Sequence, residues 1–271
     1  METLLVHLAL VAYASGTAAF LTWLVQPDDR WPRIGRWLLL AGAVVHFASF
    51  AAMQSGTVWK AGQLFSLLAA CTVTGYIWLD RKGGIPIAGV FVAPLTLAVM
   101  APAHIVGSAQ HEVAPRLWHS GALVFHVAVA ALGTAALALA FGVSALYLAS
   151  EKQAKSKRPG RIFARLTSLD SIDRTAWRLA VWGFVFLSAT IATGSVVSSS
   201  ATGSAFPFAP KQAFAVLAWA LFAAMIQARL VAGWRGRRIA LLVVIGFVLL
   251  AGVYAGLLSA SPSLVALGAW I

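Results

Sequence analysis

The chain has 271 residues, of which 61% are hydrophobic and only 10% charged, and its mean hydropathy is +0.86. A soluble globular domain is about half apolar and about a quarter charged, so this composition excludes one and points to an integral membrane protein. The formal charge of +12 would suit nucleic acid, but the lysines and arginines gather at helix ends, where they match anionic lipid headgroups instead.

A helix that crosses a bilayer needs about 20 predominantly apolar residues. Eight stretches meet or approach that requirement: 3–25, 37–56, 61–79, 84–101, 119–149, 175–197, 211–232 and 239–259. The expectation is therefore an all-α polytopic membrane protein, a single domain over residues 1–271 with eight transmembrane helices. No Lys or Arg precedes the first stretch and no A-x-A site follows it, so it reads as a retained helix, not a removed signal. The fourth stretch is the weakest, because Pro86 and Pro94 interrupt it. The one cysteine, Cys71, lies inside the third stretch and reads as a buried structural residue, which excludes intramolecular disulfides and thiolate clusters.

Of the 20 lysines and arginines, all but Lys60, Arg116 and Lys211 fall on one side of this arrangement. The positive-inside rule makes that side cytoplasmic, and an even helix count then puts both termini outside. Within the long basic connection, Arg161 and Arg165 stand four apart among Ile162, Phe163 and Leu166, which suggests a short helix on the membrane surface over 158–169. Asp170 and Asp173 precede the sixth span and are expected to cap it, facing the positive end of its dipole. Most of the 11 tryptophans, Trp23, Trp31, Trp37, Trp78 and Trp234 among them, fall near helix ends and read as an interfacial belt.

Six histidines occur, at 7, 46, 104, 111, 119 and 126. His46 is alone in lying deep, about 15 Å along its helix from the basic side. An ionisable side chain at that depth is a candidate functional residue. The competing reading is a neutral imidazole that hydrogen-bonds a neighbouring helix and holds the bundle together. His119 and His126 share one helix face about 10.5 Å apart, too far to bind one metal ion, which leaves them either stacked beside a flat ligand or serving separate purposes. Trp118 and Phe125 stand beside them, and Gly133 and Gly142 give the same helix a face that can be closely approached. His7, His104 and His111 read as interfacial or loop residues. The chain carries no G-x-S-x-G elbow, Walker loop, H-E-x-x-H run or paired intramembrane carboxylates, so a non-enzymatic protein is expected.

Three blocks carry a family resemblance. The first is LVFHV at 123–127, with the long Ala/Leu helix that ends in LYLASE at 146–151. The second is SLDSIDR at 168–174, continuing through RLAVWGF at 178–184 to ATG at 192–194. The third is PK at 210–211, AW at 218–219 and RLVAGWRGRR at 229–238. In this order they resemble the CcsA/HemX-like cytochrome c assembly membrane proteins.

That resemblance implies an outer haem held by two histidines beside a tryptophan-rich motif, and a second haem between two transmembrane histidines. His126 matches the first outer histidine and His46 the first transmembrane one. Where the family has tryptophan-aspartate before its proline-lysine, this chain has Phe208 and Ala209, and the tryptophan-rich stretch is replaced by Ser198 to Gly203. Gln227 stands at the second transmembrane histidine, and no histidine occurs between Leu258 and Gly268. The likeness is thus to a degenerate, HemX-like member.

It implies a haem-handling protein of the bacterial inner membrane that serves cytochrome c or haem-protein assembly. Haem b would have His126 and His46 as iron ligands, with His119 and Trp118 beside it. The implied partners are membrane lipids, haem, and membrane proteins of cytochrome or haem assembly or of a respiratory complex, with no nucleic acid. The alternative is a HemX-like regulatory or structural subunit that docks a partner through its basic loops without binding haem. A transporter is disfavoured, since matching broken helices are absent.

Overall fold

The computed structural model describes residues 2–26, 28–51, 61–83, 85–107, 121–155, 168–204 and 210–259. These hold eight α-helices: α1 (Glu2–Val25), α2 (Arg30–Ala51), α3 (Ala61–Gly83), α4 (Gly89–Gly107), α5 (Gly121–Lys155), α6 (Leu169–Thr202), α7 (Pro210–Leu230) and α8 (Arg237–Ser259). A 3-10 turn, Pro86–Ala88, leads into α4, and there is no strand among the described residues. Five helices, α1, α2, α5, α6 and α7, are long and apolar enough to cross a membrane, and a shorter apolar stretch covers Pro86–Met100. The fold is all-helical, as a chain that must satisfy its backbone inside lipid has to be.

Each expected stretch corresponds to one helix, but the bounds differ where charge begins. α2 starts at Arg30 and α6 runs over Leu169–Thr202, because apolar runs end at the membrane interface while the helical hydrogen bonds continue into the charged turns. α4 is unbroken through Pro94, and Pro86 is absorbed in the preceding 3-10 turn. A proline is tolerated in a spanning helix when its surroundings re-satisfy the freed backbone. The surface helix expected after Arg158 falls largely on residues 156–167, outside the described residues.

The helices pair as antiparallel hairpins, and close contacts at glycine set the register. A Cβ on Gly42 would lie 2.6 Å from Tyr13, and one on Gly35 would lie 2.7 Å from Phe20, so moving forward along α1 moves equally far back along α2. Likewise His126 lies against Gly194 and Leu137 against Gly183, which aligns α5 and α6 along most of their length. Lipid offers no hydrophobic gain for helix association, so this close approach supplies the attraction through van der Waals contact.

Two apolar cores share α5 as their common wall. One joins Tyr13, Phe20, Leu39, Val73, Tyr76 and Met100 to Leu139, Val143 and Leu146 of α5. The other joins Leu137, Ala138 and Ala140 of α5 to Ala180, Phe222, Met225 and Val243. A helix buried on two faces can afford few large side chains, which accounts for the Ala/Gly content of α5.

Several buried hydroxyls bond within their own helices: Thr17 donates to the Tyr13 carbonyl at 2.8 Å and Thr72 to that of Leu68 at 2.8 Å. Trp37, Trp78 and Trp234 are exposed, as a belt requires, but Trp23 is buried. It follows Phe20 by three residues and so shares the α1 face that packs into the first core. Trp31 also packs against that core. Cys71 is a free thiol, partly buried in α3.

Candidate functional site

His126 projects from the second turn of α5 toward α6, at the end of the bundle opposite the basic connections. Its Nδ1 lies 2.9 Å from the Thr193 hydroxyl, and a Cβ on Gly194 would come within 3.0 Å of its Cε1. The ring is half-buried, while Val124 and Phe125 beside it are mostly exposed. An imidazole anchored at the rim of an apolar bundle is thereby set next to exposed apolar surface. Trp118, His119 and His111 lie outside the described residues, and His104 falls in α4.

His46 is fully buried. Its Nδ1 lies 3.1 Å from the Tyr13 hydroxyl of α1, its Nε2 bonds the Ser66 hydroxyl of α3, and its ring stacks on Phe50 with centroids 5.5 Å apart. Both ring nitrogens are thus bonded to neighbouring helices, and ligation of a metal here requires one hydroxyl to be exchanged for it. Gln227 does not join this cluster and lies exposed on α7. His7 is exposed on α1. Among the described residues no group of three His, Cys, Asp or Glu side chains could hold a metal ion.

A third cluster, at the basic end, was not legible from the sequence. The N-cap of α6 is Ser168, whose hydroxyl accepts from the Ser171 N–H at 3.3 Å. Asp170 pairs with Arg174 on the surface. Asp173 does not cap the helix as expected. It accepts two hydrogen bonds from Arg229 at 2.8 and 3.3 Å and a third from the Gly236 N–H at 3.0 Å.

The Arg229 guanidinium also lies 4.6 Å from the Trp177 ring centroid, within cation–π range. Gly236 has φ +65 and faces Tyr147 so closely that a Cβ would lie 2.6 Å from the phenol oxygen, so both backbone and space require glycine. All three sequence blocks named above meet here. At the same end Arg36 pairs with the buried Asp80 at 2.9 Å and joins α2 to α3. The available signal was an acid and an arginine at the edges of apolar spans, where charges are expected to pair.

Residues 7–262 match the family model described as "Cytochrome C assembly protein". The cytochrome c biogenesis protein CcsA of Parasynechococcus marenigrum (strain WH8102) is 30% identical over 211 residues, 69% of each chain. CcsA of Synechococcus sp. (strain CC9902) is 28% identical over 267 residues, 86% of each chain. Among solved structures the cytochrome c heme lyase CcmF has a TM-score of 0.67 at 16% identity, covering 99% of this chain and 48% of that one. The chain therefore spans about half the length of the protein whose fold it shares.

That likeness overturns the expectation of a non-enzymatic protein, because a cytochrome c heme lyase is built on this fold. Helical architecture, relatives and family match agree: the chain is an integral membrane protein of the cytochrome c assembly family.

Proposed function

We propose that the protein handles haem for attachment to cytochrome c, holding it at the end of the bundle opposite the basic connections with His126 as an iron ligand. The observation that carries this reading is the setting of His126, fixed through Nδ1 by Thr193 at a half-buried rim next to exposed Val124 and Phe125. Haem iron arrives with its four equatorial positions filled by the porphyrin, so it asks the protein for one or two axial side chains and an apolar wall. A site with a single anchored imidazole suits it, whereas a bare metal ion would need several ligands. His119 and Trp118 are proposed to flank the same haem. His46 is proposed as a second, deeper ligand that takes iron by giving up one of its hydroxyl partners.

The haem is of the b type, and the protein sits in a bacterial inner membrane with both termini outside, a placement supported by the one-sided distribution of lysine and arginine. Membership of a cytochrome c assembly family supports action together with other membrane proteins of that process.

The test is cytochrome c maturation in cells that carry the His126→Ala variant, read as haem staining of denatured cytochrome c. Covalently haem-bearing cytochrome c should fall by about tenfold or more, with the variant itself present at the normal level. Gly121→Ala, at an open position, should leave it unchanged. Normal haem staining in His126→Ala would refute the role of His126.

A further inference from the structure

The ATG run at 192–194 is part of the second sequence block, and it lies directly against His126. We infer that Thr193 is a positioning residue that holds His126 in the tautomer with the proton on Nδ1, so that Nε2 is the basic nitrogen presented to iron. The inference deepens the haem reading of the same site and rests on it for its functional consequence.

The argument is a count of protons. Thr193 Oγ1 lies 2.9 Å from His126 Nδ1, 2.7 Å from the Ala189 carbonyl oxygen and 3.2 Å from that of Thr190. A threonine hydroxyl has one proton to give, and a carbonyl oxygen can only accept. The short contact with Ala189 is a hydrogen bond only if that proton points along it. Turned toward the imidazole instead, it would leave two oxygens facing each other lone pair to lone pair at 2.7 Å.

The hydroxyl is therefore spent on its own helix, in the same i to i−4 pattern as Thr190 and Ser188. Toward His126 it can only accept, so the ring must donate from Nδ1. In a neutral imidazole one nitrogen donates and the other accepts, which makes Nε2 the nitrogen with the lone pair. A histidine that ligates metal commonly donates its other N–H to an oxygen, and this fixes the ring and raises its basicity.

Gly194 completes the arrangement. A Cβ there would lie 3.0 Å from Cε1 of His126, tighter than ordinary contact, so any other residue would require the ring to shift from the place in which Thr193 meets it. Threonine sets the proton and glycine provides the room.

The experiment uses full-length protein in detergent with its histidines labelled with the heavy nitrogen isotope, studied at alkaline pH where imidazole is neutral. His126 is identified by the signals lost in His126→Gln. Wild type and Thr193→Ser should show His126 protonated on Nδ1, and Thr193→Val, of similar shape but without the hydroxyl, should lose that preference. With haem bound, Thr193→Val should retain haem about tenfold less tightly and show a more positive midpoint potential, with Thr193→Ser matching wild type. A wild-type His126 protonated on Nε2, or a Thr193→Val spectrum identical to wild type, overturns the inference. Wild-type protein that takes up no haem refutes the haem reading, while the nitrogen spectrum still decides the tautomer.

Discussion

Replacing Arg229 with alanine should destabilise the folded bundle by about 3 kcal/mol, because it strips a part-buried carboxylate of its cation. The Arg229 and Asp173 side chains are only 11% and 12% exposed, and their two parallel hydrogen bonds tie the start of α6 to the end of α7. Asp173 also holds the Gly236 N–H, so the turn into α8 loosens with it. Arg229→Lys should recover only part of the loss, since an ammonium is neither planar nor bidentate and stacks less well on Trp177. Removing both partners should cost less than the sum of the single changes. Thermal unfolding in detergent reads all of these, and a shift of under about 0.5 kcal/mol for Arg229→Ala would show that the cluster does not clamp the bundle.

His46→Ala should be at least as damaging, by about 4 kcal/mol, through two additive causes. The ring is fully buried, so its loss opens a cavity among α1, α2 and α3. It also leaves the Tyr13 and Ser66 hydroxyls without the nitrogens that they bond. Tyr13→Phe removes one hydrogen bond without a cavity and should cost about 1–2 kcal/mol. The comparison is made on protein without haem, where only the bonding role operates. If His46→Ala then unfolds at the wild-type temperature, the hydrogen-bonded packing of His46 contributes nothing to stability.

The helices were legible because lipid forces each crossing to satisfy its own backbone, so length and apolarity suffice to find them. What lay hidden was whatever depends on two helices at once. Asp173 fits a capping position by its place in the chain, and only the fold reveals an arginine 56 residues away that claims it. The depth of His46 could be read from the length of its helix, but Tyr13 and Ser66 become its partners only through the rotational phase of α1 and α3. Trp23 ends a helix, as belt tryptophans do, yet the face it shares with Phe20 buries it. The non-enzymatic expectation failed for another reason: the motifs sought belong to hydrolases and nucleotide-binding folds, so their absence carries no weight for a membrane fold on which a heme lyase is built.

The central claim is that His126 holds iron porphyrin. The most direct measurement is the visible absorption spectrum of protein purified in detergent from haem-replete cells, for wild type and His126→Ala side by side. A Soret band in wild type that is lost from His126→Ala is the expected result. A wild type without the band, or a variant that keeps it undiminished, would contradict the account.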